Sequence, residues 1–296
     1  MKLLRVSLAI LVTAGLLAFD AYAQVSGKWV KLAPFPEPAE ELFGVAAGGK
    51  MYVMGGLAPG WKPRGLVYEY DPATDKWTKK KPMALSSHHV AVTELNGKIY
   101  AFGGFVPPQS GPPAWIPIDN AWEYEPAADS WKALAPMSTK RGSPVAAAAG
   151  GKIYVIGGAT TAPGAKEPIV HPARPHITVG TVEEYDPATD SWGASKARMP
   201  SARSAVAWGT YKNRIYVAGG EFQDDSMMAA FRALEAYAPA TNSWAILPRM
   251  PSPRHGLAGA VIGNRLHLVS GEVQSAGIEG MHLQSDSHDA FEFADQ

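Results

Sequence analysis

The chain of 296 residues contains no cysteine. That excludes disulfide staples, thiolate metal sites and a cysteine nucleophile, so stability has to come from buried apolar area and strand pairing. Net charge is missing too, because 27 basic residues balance 27 acidic ones. Such a chain carries no electrostatic footprint for nucleic acid or an anionic membrane. The body of the sequence lacks long runs of helix formers at helical spacing. It also lacks a phosphate loop, a nucleophile elbow, an HExxH pair and a dinucleotide fingerprint. What it has in quantity is Gly (30), Pro (25), Tyr (11) and Trp (9), the composition of many short strands joined by tight turns.

The first 23 residues stand apart. Lys2 and Arg5 precede an apolar stretch from Val6 to Phe19, and Ala21-Tyr22-Ala23 forms a small-x-small site. This is the layout of a secretory signal peptide. The apolar stretch falls short of the roughly 20 residues that span a bilayer. The expectation is a signal peptide over 1–23 and one domain over 24–296, working in the periplasm or outside the cell. Without a cysteine to acylate, no lipid anchor is expected.

The strongest signal is internal repetition. KMYVMGG (50–56), KIYAFGG (98–104), KIYVIGG (152–158) and RIYVAGG (214–220) are followed by RLHLVSG (265–271), where Ser270 replaces the first Gly. Each of the first four is followed by a second block: YEYDPATDKW, WEYEPAADSW, EEYDPATDSW and EAYAPATNSW, ending at Trp77, Trp131, Trp192 and Trp244. A period near 50 with a Gly pair and a later aromatic pair resembles the kelch repeat. The resemblance covers residues 25–296 and implies an all-β kelch β-propeller of five four-stranded blades. Small apolar segments such as 145–149 serve as innermost strand a, the Gly-pair block as strand b, the Tyr block as strand c and the Trp segment as strand d. The fifth copy lacks a Trp strand; it ends in DAFEFADQ, with Phe293 read in place of the repeat Tyr. Gly27-Lys28-Trp29 matches the missing piece, so the N-terminal strand is expected to close the ring and hide its edges. Six blades are the alternative, with no segment left to build the sixth.

In such a blade the a–b turns and the repeated DPATD turns share one face, and the dissimilar b–c loops share the other with the d–a connections. Binding chemistry concentrates on loops held by a rigid scaffold. Counting back from Lys50, Lys98, Lys152, Arg214 and Arg265, position −11 holds Ala39, Ser87, Arg141, Arg203 and Arg254. Position −10 holds Glu40, His88, Gly142, Ser204 and His255. Arg141, Arg203 and Arg254, with His88, His255 and Glu40, are expected to circle the channel mouth as a positive rim for a carboxylate or polar sugar. The competing reading has these arginines packing or capping loop carbonyls. Trp61 and Trp115 lie in b–c loops, where an aromatic face stacks on a sugar or anchors a protein; alternatively they cover the Pro-rich loops around them. His171, Arg174 and His176, and the group His282, Asp286, His288 and Asp289, lack the spacing of a strong ligand motif, so neither metal nor cofactor is expected. His267 reads as structural, and His89 as a strand residue.

The reading these features favour is an exported, monomeric binding module for a protein or a polar, anionic glycan, engaged through the long-loop face. Two alternatives come from the resemblance: a carbohydrate-active enzyme similar to the periplasmic kelch N-acetylneuraminate epimerase, and a structural subunit of an envelope complex. Galactose oxidase, a related propeller, needs a Tyr–Cys cross-link at copper, which a cysteine-free chain cannot make.

Overall fold

The computed structural model describes residues 27–294 except 48, 59–61, 81–87, 107, 109–114, 126–129, 163–176, 224–226 and 276–282. The described elements are strands, arranged as five antiparallel four-stranded sheets with three short two-stranded ribbons at the roots of b–c loops. Blade 1 is Glu40–Ala47, Lys50–Ala58, Lys62–Asp71 and Lys76–Lys79. Blade 2 is Ala91–Leu95, Lys98–Phe102, Ala121–Glu125 and Ser130–Leu134. Blade 3 is Val145–Ala149, Lys152–Ile156, Val182–Asp186 and Ser191–Trp192. Blade 4 is Ala207–Tyr211, Arg214–Ala218, Leu234–Ala238 and Ser243–Ile246. Blade 5 is Ala258–Ile262, Arg265–Val269, His288–Phe293 and, as its strand d, Gly27–Lys31.

The ring closes as the repeat implies. Gly27–Lys31 pairs antiparallel with His288–Phe293, with Trp29 opposite Phe291. The place of the repeat Tyr is therefore taken by Phe291, not Phe293: Phe291 lies opposite Leu266 as Tyr70 lies opposite Met51. Both phenylalanines fit the two-residue strand period. Phe293, two positions on, stacks on Tyr211 of blade 4 at 4.3 Å between ring centres.

The Gly pair does more than permit a positive φ. The second Gly of one blade donates its N–H to the d–a connection of the next: Gly104 to Arg141 O, Gly158 to Arg203 O, Gly220 to Arg254 O. A Cβ on Gly103 would come 2.3 Å from Arg141 O, so only glycine allows that approach. In blade 5 the first position is Ser270, held at φ 58°. Its hydroxyl donates to Ala39 O and Ser285 O and accepts from Ala39 N–H, which offsets the strain.

The DPATD turns are inter-blade staples. Asp190 sits at φ 48° and accepts from the Tyr185 hydroxyl at 2.5 Å and from Ala135 N–H of the preceding connection at 2.8 Å. Trp192 Nε1 donates to the same residue's carbonyl at 3.1 Å. Blade 1 repeats this with Tyr70, Asp75, Trp77 and Ala33, and blade 4 with Tyr237, Asn242, Trp244 and Ala197.

Candidate functional site

The three arginines are not at the rim. Arg141, Arg203 and Arg254 are each 0% exposed. Each guanidinium turns into its own blade, donating Nη1 to the carbonyl that ends strand b (Gly157, Gly219 or Ser270) and Nη2 to a strand-c carboxylate. The carboxylates are Glu183, Glu235 at 2.9 Å and Asp289 at 2.7 Å. Burial pulls the three guanidinium pKa values down, and the paired carboxylates pull them back up. The positive rim expected for an anion is thus neutralised inside the blades, and the carbonyl-capping reading is the one the geometry follows.

A signal for this was present in the repeats. Blades 3, 4 and 5 have Arg in the d–a connection and an acid two residues before the strand-c aromatic. Blades 1 and 2 have Ala39 and Ser87 there, and Tyr68 and Trp122 in place of the acid. Arg and acid appear and disappear together because a lone buried member of the pair is costly. Blade 1 substitutes Glu37, which accepts from Tyr68 at 2.5 Å and Arg64 at 2.8 Å and also pairs with Lys79.

The mouth on the long-loop face is formed one position further along. At −9, Glu41, His89, Ser143, Ala205 and Gly256 all adopt positive φ, between 52° and 61°. Four of the five are not glycine, and equivalent strain in equivalent places marks a backbone imposed by the ring. Ser143 N–H donates to His89 O, Gly256 N–H to Ala205 O and Leu42 N–H to Gly256 O, stitching neighbouring blades around the mouth.

His88 is where blade 2 meets this ring. Its Nδ1 lies 2.6 Å from His89 Nδ1, and His89 Nε2 is bonded to the Glu41 carboxylate of blade 1. Burial, with His89 alongside, depresses the His88 pKa to about 2, so its imidazole is neutral. Trp115 and Phe105 pack on both histidines, the Trp115 ring 4.9 Å from His88 and 4.6 Å from His89. Trp115 is 5% exposed and serves as a wall, not an open stacking platform. With Leu57, Phe105 and Ala159 it gives blades 1 to 3 an apolar sector.

Blades 4 and 5 carry a polar sector at the same level. His255 is buried, its Nδ1 2.5 Å from Gln274 O and its Nε2 3.9 and 4.0 Å from Glu221 and Glu272. The Ser275 hydroxyl donates to Glu221 at 2.9 Å. Glu221 and Glu272 directly follow the Gly-pair positions, and sequence reasoning passed over them, as it did Glu41. Glu40 pairs with Leu57 through the backbone, and its side chain lies outside the described part. Trp61, His171, Arg174, His176 and His282 also lie outside the described residues. His288 and Asp289 are structural: His288 Nε2 is 3.0 Å from His267 Nδ1, and Asp289 holds Arg254. Among the described residues no group of three or more His, Asp or Glu is arranged to hold a metal ion.

These features were compared with known proteins. The KLHDC2/KLHL20/DRC7 Kelch-repeats domain matches residues 44–271. Kelch-like protein terF of Aspergillus terreus is 26% identical over 264 residues, covering 85% of this chain and 54% of that protein. Kelch-like protein 25 of Xenopus tropicalis is 28% identical over 155 residues, 52% of this chain and 25% of that one. N-acetylneuraminate epimerase of Haemophilus influenzae is 28% identical over 176 residues, 49% of this chain and 44% of the enzyme. The chain spans about half or less of the length of these relatives. The solved structure of YjhT superposes with a TM-score of 0.55 at 18% identity, covering 81% of this chain and 75% of that one, which is a likeness of fold. With five blades in register and a family match over most of its length, the chain belongs to the kelch-repeat family.

Proposed function

We propose that this protein is an exported binding module that holds a partner protein on its long-loop face. The observation that carries this reading is that three of the five exposed large apolar side chains among the described residues belong to two neighbouring b–c loops, the other two, Trp131 and Ile246, lying on outer strands d. Met227 (51%) and Met228 (47%) rise from the blade-4 b–c loop, and Leu283 (52%) from that of neighbouring blade 5. Exposed apolar side chains at the edge of a polar sector are the surface a protein partner covers. An anionic glycan loses its main support, because the arginines that would hold it are neutralised inside the blades. The test is a peptide-display selection on the protein, with Met227→Asp/Met228→Asp as counter-screen and Ile246→Asp, on the outer edge of blade 4, as control. Selected peptides should lose about thirtyfold or more in affinity on the first variant, the scale of a hot-spot residue at about 2 kcal/mol, and none on the control. Peptides indifferent to the loop variant would count against this face. Export is tested by N-terminal sequencing, with Gln24 as the expected first residue.

One observation favours a second reading, an enzyme acting on a sugar. The Glu41–His89–His88 chain is an acid orienting an imidazole that contacts another imidazole, which is the form of an acid–base relay. Anomer exchange of N-acetylneuraminate, followed by proton NMR with and without the protein and with His89→Gln, decides it. Acceleration that disappears in the variant would favour the enzyme.

A further inference from the structure

Trp208, on strand a of blade 4, lines a cavity opening towards the a–b turns and also a small void beneath the Glu41–His89 mouth. It is the residue that the two linings share. The equivalent positions of blades 1 and 5 are Gly44 and Gly259. A Cβ on Gly259 would lie 2.9 Å from the backbone N of Trp208 and 3.1 Å from its carbonyl O, so glycine there lets the inner strands of blades 4 and 5 run close together. The void on the long-loop side measures about 20 Å³, whereas the turn-side cavity measures about 440 Å³. The larger falls within the roughly 300–1,000 Å³ range of small-molecule sites.

The lining of this compartment has a definite chemistry. Its walls are built from small residues and mix polar backbone with apolar side chains, Val45, Val92, Ala148, Ala149, Ala260 and Val261 among them. Thr93 Oγ1 already accepts from Ala148 N–H, so it fastens blade 2 to blade 3. Thr210, Asn213 and Glu94 remain as polar side chains near the opening, and Glu94 is the one ionisable residue among the described lining. One Glu94 oxygen accepts from Gly97 N–H at 2.6 Å, which fixes the carboxylate at the turn. Four of the five cations that start strand b on the same face are matched elsewhere, Lys50 to Glu69, Lys98 to Glu123, Lys152 to Asp186 and Arg265 to Glu292; the fifth, Arg214, follows the lining residue Asn213 and is itself not in the lining. A cavity with a single fixed carboxylate at its opening and Trp208 in its lining favours an organic cation over an anion.

We propose that the turn-side half of the channel is a second binding site, independent of the long-loop face, for one compact organic ammonium compound. Its charge meets Glu94 and its hydrocarbon part fills the cavity above Trp208. The test uses three probes of one shape, cyclohexylammonium, cyclohexanol and cyclohexanecarboxylate, titrated at millimolar concentration into the protein and followed by saturation-transfer NMR. Cyclohexylammonium should bind, the alcohol more weakly, and the carboxylate not at all. Glu94→Gln keeps the acceptor for Gly97 N–H and should weaken the ammonium about fivefold, the scale of a partly screened ion pair, without moving the alcohol. Ala148→Phe should fill the cavity and abolish binding of both. Absence of ammonium binding, binding of the carboxylate equal to that of the ammonium, or full binding to Ala148→Phe overturns the proposal. So does an ammonium affinity unchanged by Glu94→Gln, a surface variant that leaves the core untouched.

Discussion

Replacing Arg203 by alanine removes a guanidinium that is fully buried and leaves behind the Glu235 carboxylate, whose side chain is 4% exposed. Glu235 keeps one donor, the Ser201 hydroxyl at 2.9 Å, but loses its counter-charge. The Gly219 carbonyl loses its Nη1 donor at 2.9 Å in the same step. Breaking a buried pair from one side costs about 3–5 kcal/mol, and in a domain of this size that lowers Tm by about 10 °C. The double change Arg203→Met with Glu235→Leu removes both charges and fills a similar volume, so it should recover most of the loss. Urea denaturation monitored by tryptophan fluorescence gives both numbers, and adding the single variants Arg203→Met and Glu235→Leu completes the cycle whose non-additive part is the coupling. If Arg203→Ala unfolds at the wild-type midpoint, the guanidinium is not a structural latch and the rim reading returns. If the double variant is as unstable as the single one, the loss comes from packing and not from an orphaned charge.

Three further outcomes follow from the same contacts. Asp190→Ala should lower stability by about 1–3 kcal/mol, because it removes the acceptor for Tyr185 and Ala135 N–H, while Asp190→Asn should cost little, since Asn242 does the same work in blade 4; equal loss in both variants would exclude the staple. Deleting residues 27–32 exposes the full edge of His288–Phe293, and the expected result is aggregation or a broadened unfolding transition in calorimetry, against a sharp wild-type transition. His267 and His288 are buried neutral, with pKa values held down at about 3 and about 4 by burial first, among Tyr70, Trp77, Asp75, Arg254 and Arg265. The unfolded chain binds these protons first, so stability is complete above about pH 6.5 and falls as pH drops towards 4, by up to about 1.4 kcal/mol per pH unit for each histidine; His288→Gln should flatten the dependence, and an unchanged slope would remove His288 from the account.

The linear order of residues is enough for the architecture. Five copies at a period near 50 name the blade, and the orphan Trp29 names the strand that closes the last one, because a four-stranded sheet with two apolar faces is stable only against neighbours. It also located the long loops and the d–a connections on one face, since antiparallel pairing fixes which turns lie together. Radial depth was decided only in three dimensions. Position −11 reads the same whether a guanidinium points to solvent or into the blade, and the choice belongs to Glu183, Glu235 and Asp289, which are 42, 32 and 35 residues away. The same holds for Glu41 and His89, single residues in different repeats that become partners because the ring sets neighbouring connections side by side. The lining of the turn-side cavity depended on packing alone: Trp208, Gly44, Gly209 and Gly259 belong to inner strands of three different blades. Local pattern specifies strands and turns residue by residue, whereas the side chains that meet across blades are chosen by long-range packing.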